Sequence, residues 1–204
     1  MKVRTSLLGC TIAVSVLSVS PTAAQDGSAV GSGGRVEVPE AGYAVTLPDA
    51  WTSVRPQASD VETILEAVGS MDPQLASMVE NALGGGSFSI SLMGFAPTFP
   101  DTFAENCNVV TGATDGLSLE WLAAANMAQM EALEWDAELT MDELPAGEVA
   151  HIDYSADFGG MVLELSLWLY VDGETQQNLT CTDELRPADS WRSIAETLEF
   201  LPAE

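Results

Sequence analysis

Between Met161 and Val171 the chain sets Leu163, Leu165, Leu167 and Leu169 at alternate positions, with Glu164, Ser166 and Trp168 in the gaps. A period of two sends successive side chains to opposite faces of a strand, so this run fits a pleated sheet and does not fit a helix. Asp172-Gly173, a pair that closes tight hairpins, follows it. Gln176 to Thr182 then reads as the returning strand. Upstream, Glu148 to Ser155 and Trp135 to Leu144 read as two further strands joined by Pro145-Ala146-Gly147. Short strands in sequence joined by tight turns build an antiparallel sheet.

The first half of the chain adds strands and helices to this meander. Arg35 to Val38 and Tyr43 to Leu47 suggest an opening hairpin with Trp51 just beyond it. Ser87 to Phe95 alternates, with Phe88, Ile90 and Leu92 expected on one face and serines on the other. Asn106 to Val110 is a short strand carrying Cys107. Ser59-Asp60-Val61-Glu62 has the form of a capping box, and Val61, Ile64, Leu65 and Val68 recur at helical spacing. Asp72-Pro73 starts a second stripe of Leu75, Met78, Val79 and Leu83, stopped by Gly84-Gly85-Gly86. Residues 59–83 are therefore expected to be a helical insertion. Ser118 to Leu133 reads as a long helix with Leu119, Leu122, Met130 and Leu133 on one side, and Asp189 opens a last helix with Trp191, Ile194, Ala195 and Leu198. The expected class is α+β: an antiparallel β-sheet flanked by helices, in a single domain over 35–204.

The first residues read as an address. Lys2 and Arg4 precede an apolar run from Leu7 to Val19, and Thr22-Ala23-Ala24 offers small residues at the −3 and −1 positions. That pattern predicts a signal peptide over 1–24, cleaved after Ala24. A run of 13 residues is short for a bilayer span. Leu7-Leu8-Gly9-Cys10 also resembles a bacterial lipobox, but Cys10 precedes most of the apolar run. Residues 25–34, QDGSAVGSGG, read as a flexible linker. The expectation is a soluble protein outside the cytoplasm, periplasmic or secreted, with no membrane span.

Of three cysteines, Cys107 and Cys181 remain after such cleavage, and an oxidising compartment favours their pairing. The loop they close, about 75 residues, corresponds to roughly 4 kcal/mol in the chain-entropy account. A metal site built on the two would need further ligands, and His151 is the only histidine.

Beyond residue 24 the chain holds 31 acidic residues against 4 Arg and no Lys, a formal charge of −27. Phosphate contacts need clustered cations, so this charge argues against nucleic-acid binding and equally against docking on anionic membranes. A hydrophobic fraction of 47% with 5 Trp argues equally against disorder. Acid excess with Arg in place of Lys is a pattern of proteins exposed to saline media, where salt screens self-repulsion. It is also the product of coding bias in a GC-rich bacterium.

Three phrases together resemble the PsbP-like superfamily, which includes photosystem II PsbP, the yeast Ran-binding Mog protein and many bacterial secreted proteins. They are Gly42-Tyr43-Ala44-Val45-Thr46-Leu47-Pro48 with Trp51, then Tyr170-Val171-Asp172-Gly173 with Asn178-Leu179-Thr180-Cys181, and finally Trp191 through Phe200. The resemblance covers roughly 35–202 and implies an α/β/α sandwich whose last phrase is an amphipathic helix on the sheet. The superfamily shares no catalytic constellation, and its members are mostly accessory or binding proteins.

Candidate chemistry is sparse. Val149, His151 and Asp153 share one face of their strand, so His151 and Asp153 are either a general-base pair or, as expected, a polar pair on a solvated sheet face. Asp136, Glu138, Asp142 and Glu143 crowd one strand, and Asp183, Glu184 and Asp189 one loop, but neither follows a calcium-loop spacing. Trp168 falls opposite the leucines, so it lies either under a second layer or in a groove as a possible binding surface. The function expected is that of a non-catalytic extracytoplasmic accessory or binding protein for an unknown envelope protein or small ligand, with no cofactor, no metal site and no catalytic residues. Two alternatives stand beside it: a calcium- or small-ligand-binding protein, and a small hydrolase using His151 and Asp153.

Overall fold

The structure is a computed structural model and describes residues 29–56, 88–97, 105–158, 161–183 and 191–202. The expected signal peptide with its cleavage site at Ala24, the expected helical insertion 59–83 and residues 184–190 lie outside the described residues.

Among the described residues the backbone forms one antiparallel sheet of nine strands. They are β1 (Ala29–Val38), β2 (Tyr43–Arg55), β3 (Phe88–Phe95), β4 (Asn106–Ala113), β5 (Asp136–Leu144), β6 (Gly147–Phe158), β7 (Met161–Asp172), β8 (Thr175–Asp183) and β9 (Glu199–Phe200). Their spatial order is β1-β2-β3-β4-β8-β7-β6-β5, with β9 against β2. Strands β5 to β8 are the expected meander of successive hairpins. The turn from β7 to β8 is Gly173-Glu174, with Asp172 opposite Thr175 and Gly173 at φ +59, a value glycine adopts freely.

Alternation divides the sheet into two faces. Leu163, Leu165, Leu167 and Leu169 lie on one, beside Ala150 and Ile152 of β6. Helix α1 (Leu119–Ala132) covers part of this leucine face, burying Leu119, Leu122 and Ala123 against Ala150 and Leu169. Its N-cap is Ser118, whose hydroxyl accepts from the Trp121 amide at 3.3 Å. The opposite, tryptophan face carries the main core: Tyr43, Val45, Leu47, Trp51, Leu92, Val109, Trp168, Tyr170 and Leu179, closed by Trp191, Ile194, Ala195 and Leu198.

The described fold is thus β-rich, with less helix than expected. The last helix shrinks to a single turn, α2 (Arg192–Ala195), and the chain then joins the sheet as β9. Thr197 interrupts the helical ladder, because its hydroxyl donates to Ile194 O at 2.7 Å while accepting from the Thr46 amide at 2.8 Å.

The expected linker also differs. Residues 29–34 belong to β1, paired with β2 from Ala29 opposite Arg55 onward. Small residues here serve close approach: a Cβ on Gly33, at the register shift, would stand 1.9 Å from Pro48 O. In β3 a second register shift, between Ile90 and Leu92, separates the two residues expected to share a face. Ile90 pairs with Val110 on the leucine face, while Leu92 enters the core beside Val109. Ser91 at the shift takes up its polar demand with Tyr43 Oη at 2.9 Å and Thr111 Oγ1 at 2.9 Å.

Candidate functional site

Strand register assembles the polar groups on the tryptophan face. His151 of β6 stands opposite Trp168 of β7, and Asp153 stands opposite Ser166. The imidazole stacks on the indole, with ring centroids 4.7 Å apart and planes 5° from parallel. His151 Nε2 lies 3.0 Å from Asp153 Oδ1, an ion-pair distance rather than a well-directed hydrogen bond. The Ser166 hydroxyl donates to the same Asp153 oxygen at 2.5 Å. On the other side, His151 Nδ1 lies 3.8 Å from Asp142 Oδ2 of β5, and that oxygen accepts from Arg192 Nη1 at 2.9 Å. Glu196 adds a second carboxylate to the Arg192 guanidinium at 3.2 Å.

The electrostatics follow from these contacts. Partial burial of Asp153 favours its neutral form, but the close imidazole of His151 and the hydrogen bond from Ser166 outweigh it and hold the carboxyl below its ordinary pKa. Asp142, then Glu196, raises the Arg192 pKa further above its already high value. Close by, burial pushes the Tyr170 phenol well up, so it stays a neutral donor to Ala195 O at 2.8 Å.

His151 and Asp153 do come together, but the face that holds them is not solvated as expected, because His151 is buried. Trp168 is fully enclosed at 0% exposure, which removes it as an exposed binding surface. It belongs to the core that also holds Trp191, Ile194 and Leu198, the second-layer position. Cys107 and Cys181 are bonded and stand opposite each other on β4 and β8. Cys181 is also the neighbour of Ser166, so one row across the sheet reads Asp153, Ser166, Cys181, Cys107. The sequence points to neither Ser166 nor Arg192 as a partner of this pair, and places Asp142 only in an acid cluster weighed for calcium. Ser166 and Asp142 needed the strand register, whereas Arg192 carried a signal in being one of only four cations beyond residue 24.

The chemical order matters. Acyl transfer of the Ser-His-Asp kind places imidazole between hydroxyl and carboxylate. Here the carboxylate of Asp153 lies between Ser166 and His151, and both imidazole nitrogens face carboxylates. The arrangement orients and neutralises, and ties α2 to the sheet through Arg192. Among the described residues no group of three His, Cys, Asp or Glu is disposed to hold a metal ion. Among them too, no helix is long and apolar enough to cross a membrane.

No known protein family matches the chain, and no curated protein does. Among solved structures, the chain is similar to a protein from Bacteroides thetaiotaomicron VPI-5482, with 10% identity and a TM-score of 0.52 over 84% of this chain and 49% of that one. LpqN, described as involved in cell envelope biogenesis of Mycobacterium tuberculosis, aligns with 10% identity and a TM-score of 0.47 over 86% of this chain and 91% of that one. The Bacteroides likeness is one of fold, and this chain spans about half the length of that protein.

Proposed function

We propose that this chain is a non-catalytic extracytoplasmic module of PsbP-like α/β/α layout that works by binding, as an accessory to an envelope protein or small ligand. The observation that carries the reading is the state of His151: enclosed, stacked on Trp168, and set between two carboxylates, one facing each ring nitrogen. A general base needs its nitrogen within reach of the proton it removes. The leader-like first residues and the bonded cysteines support the compartment. An antiparallel sheet with α1 on one face and α2 on the other supports the layout.

The test is turnover. The mature chain, purified to homogeneity, is assayed against chromogenic esters, amides, phosphate esters and glycosides beside His151→Gln. The reading expects no activity above background. Steady turnover that disappears in His151→Gln, with an unchanged melting curve, would replace it with the hydrolase.

A further inference from the structure

The sheet ends in β5, and among the described residues no strand pairs with its outer side. Edge strands are usually blunted by charged side chains, bulges or proline, because open N–H and C=O groups invite another strand, and charge of one sign turns away only partners of like charge. Strand β5 has no proline and pairs with β6 in unbroken register from Asp136 opposite Ser155 to Leu144 opposite Gly147. Its two faces differ, although Glu143 shares the leucine face. Asp136 and Glu138 are exposed on the tryptophan face, while Leu139 and Met141 lie on the leucine face, 37% and 40% exposed. Above the Met141 row, α1 begins over Ala150, the β6 neighbour of Met141, and its first turn carries Trp121, 47% exposed. Large apolar side chains left in water beside an open edge mark an interaction surface.

We propose that β5 receives an extended, Lys- or Arg-bearing segment of a partner protein, added as one further strand. The added strand would alternate, as β5 does. Cations on one face meet Asp136 and Glu138, and apolar side chains on the other cover Leu139 and Met141. Charge selects the occupant. A second copy of this chain would set carboxylate against carboxylate across the new pair, in a molecule already far on the acidic side. A basic segment meets complementary charge instead and is steered toward the edge. The proposal rests on the binding reading above and gives it a partner class.

The probe is a synthetic peptide of about eight residues, the length of a typical strand, alternating Lys and Val. A Glu-Val counterpart and a scrambled Lys-Val peptide serve as controls. The full mature chain is titrated by calorimetry, with amide exchange read by mass spectrometry. The expected result is binding of the alternating Lys-Val peptide alone, with new exchange protection in 136–144. Affinity should fall about ten-fold or more in Leu139→Thr/Met141→Thr, and also in Asp136→Asn/Glu138→Gln, and should weaken as salt rises. Absence of binding at millimolar peptide, binding without protection in 136–144, or wild-type affinity retained in either double variant would overturn it. So would concentration-dependent self-association that protects 136–144, which would make the occupant a second copy. None of these outcomes alters the turnover assay, so the two readings fail separately.

Discussion

Arg192 reaches from the last helical turn to Asp142 on the edge strand, Nη1 to Oδ2 at 2.9 Å, and that oxygen also faces His151 Nδ1. This contact ties the C-terminal turn to the far end of the meander. The pair is partly exposed, and such pairs contribute little to global stability. Its effect should therefore be local. In Arg192→Gln, amide exchange over 192–198 should quicken while the melting temperature falls only slightly. Unchanged exchange in that segment would show that Tyr170, Ile194 and Leu198 hold it without the ion pair.

Trp168 offers the opposite case. It is wholly buried, stacked on His151, and part of the core closed by the C-terminal segment. Truncating such a side chain removes transfer energy and leaves a cavity, together about 3–5 kcal/mol. Trp168→Ala should lose about that much stability by denaturant titration, and His151→Ala distinctly less. Equal losses would mean that the stack, rather than burial of the indole, supplies the energy.

Asp153 makes stability depend on acid. Its folded pKa is depressed, so the charged form is favoured by folding. That contribution is present above the ordinary aspartate value near ~4 and is lost as pH falls through the lower folded value. The titratable and charged groups around it are His151, Glu138 directly opposite on the edge strand, then Asp142 and Arg192 one step away, and Ser166 supplies a fixed donor. The stability difference between wild type and Asp153→Asn should be largest near neutral pH and shrink below about pH 4. Parallel stability curves down to about pH 2 would assign the acid limb to other carboxylates.

The sheet was legible because its signals are local and strong. The leucine alternation at 163–169 and the Asp-Gly at its end define β7 and its hairpin from sequence alone, and Ser118 with Leu119 and Leu122 defines the start of α1. The departures have physical causes of longer range. Thr197 ends α2 by bonding to Thr46, a residue 151 positions away. Ser91 sits at a register shift whose polar demand is met only when Tyr43 and Thr111 arrive. The glycines of 31–34, which suggested a flexible tether, are what let β1 lie against Pro48. Trp168 could be assigned to a face from sequence, but whether that face is covered depends on the C-terminal turn. The polar cluster was half visible: His151 and Asp153 sit two apart on one strand, whereas Ser166, Asp142 and Arg192 join only through register.

The disulfide joins residues already opposite each other, with Cα atoms 4.0 Å apart on paired strands and 74 positions apart in sequence. Beta pairing alone holds the two ends of the chain segment in place in the folded state, so the bond acts chiefly on the unfolded chain, where closing so long a loop removes roughly 4 kcal/mol of entropy. The double variant Cys107→Ala/Cys181→Ala should therefore keep the same sheet while losing stability of that order. Removal of one sulfur alone should cost about as much, because the loop is equally open. Circular dichroism with denaturant titration reads both quantities. A double variant that loses its strand signal outright would mean that β4 and β8 depend on the bond to pair at all, and that the entropy account is too small.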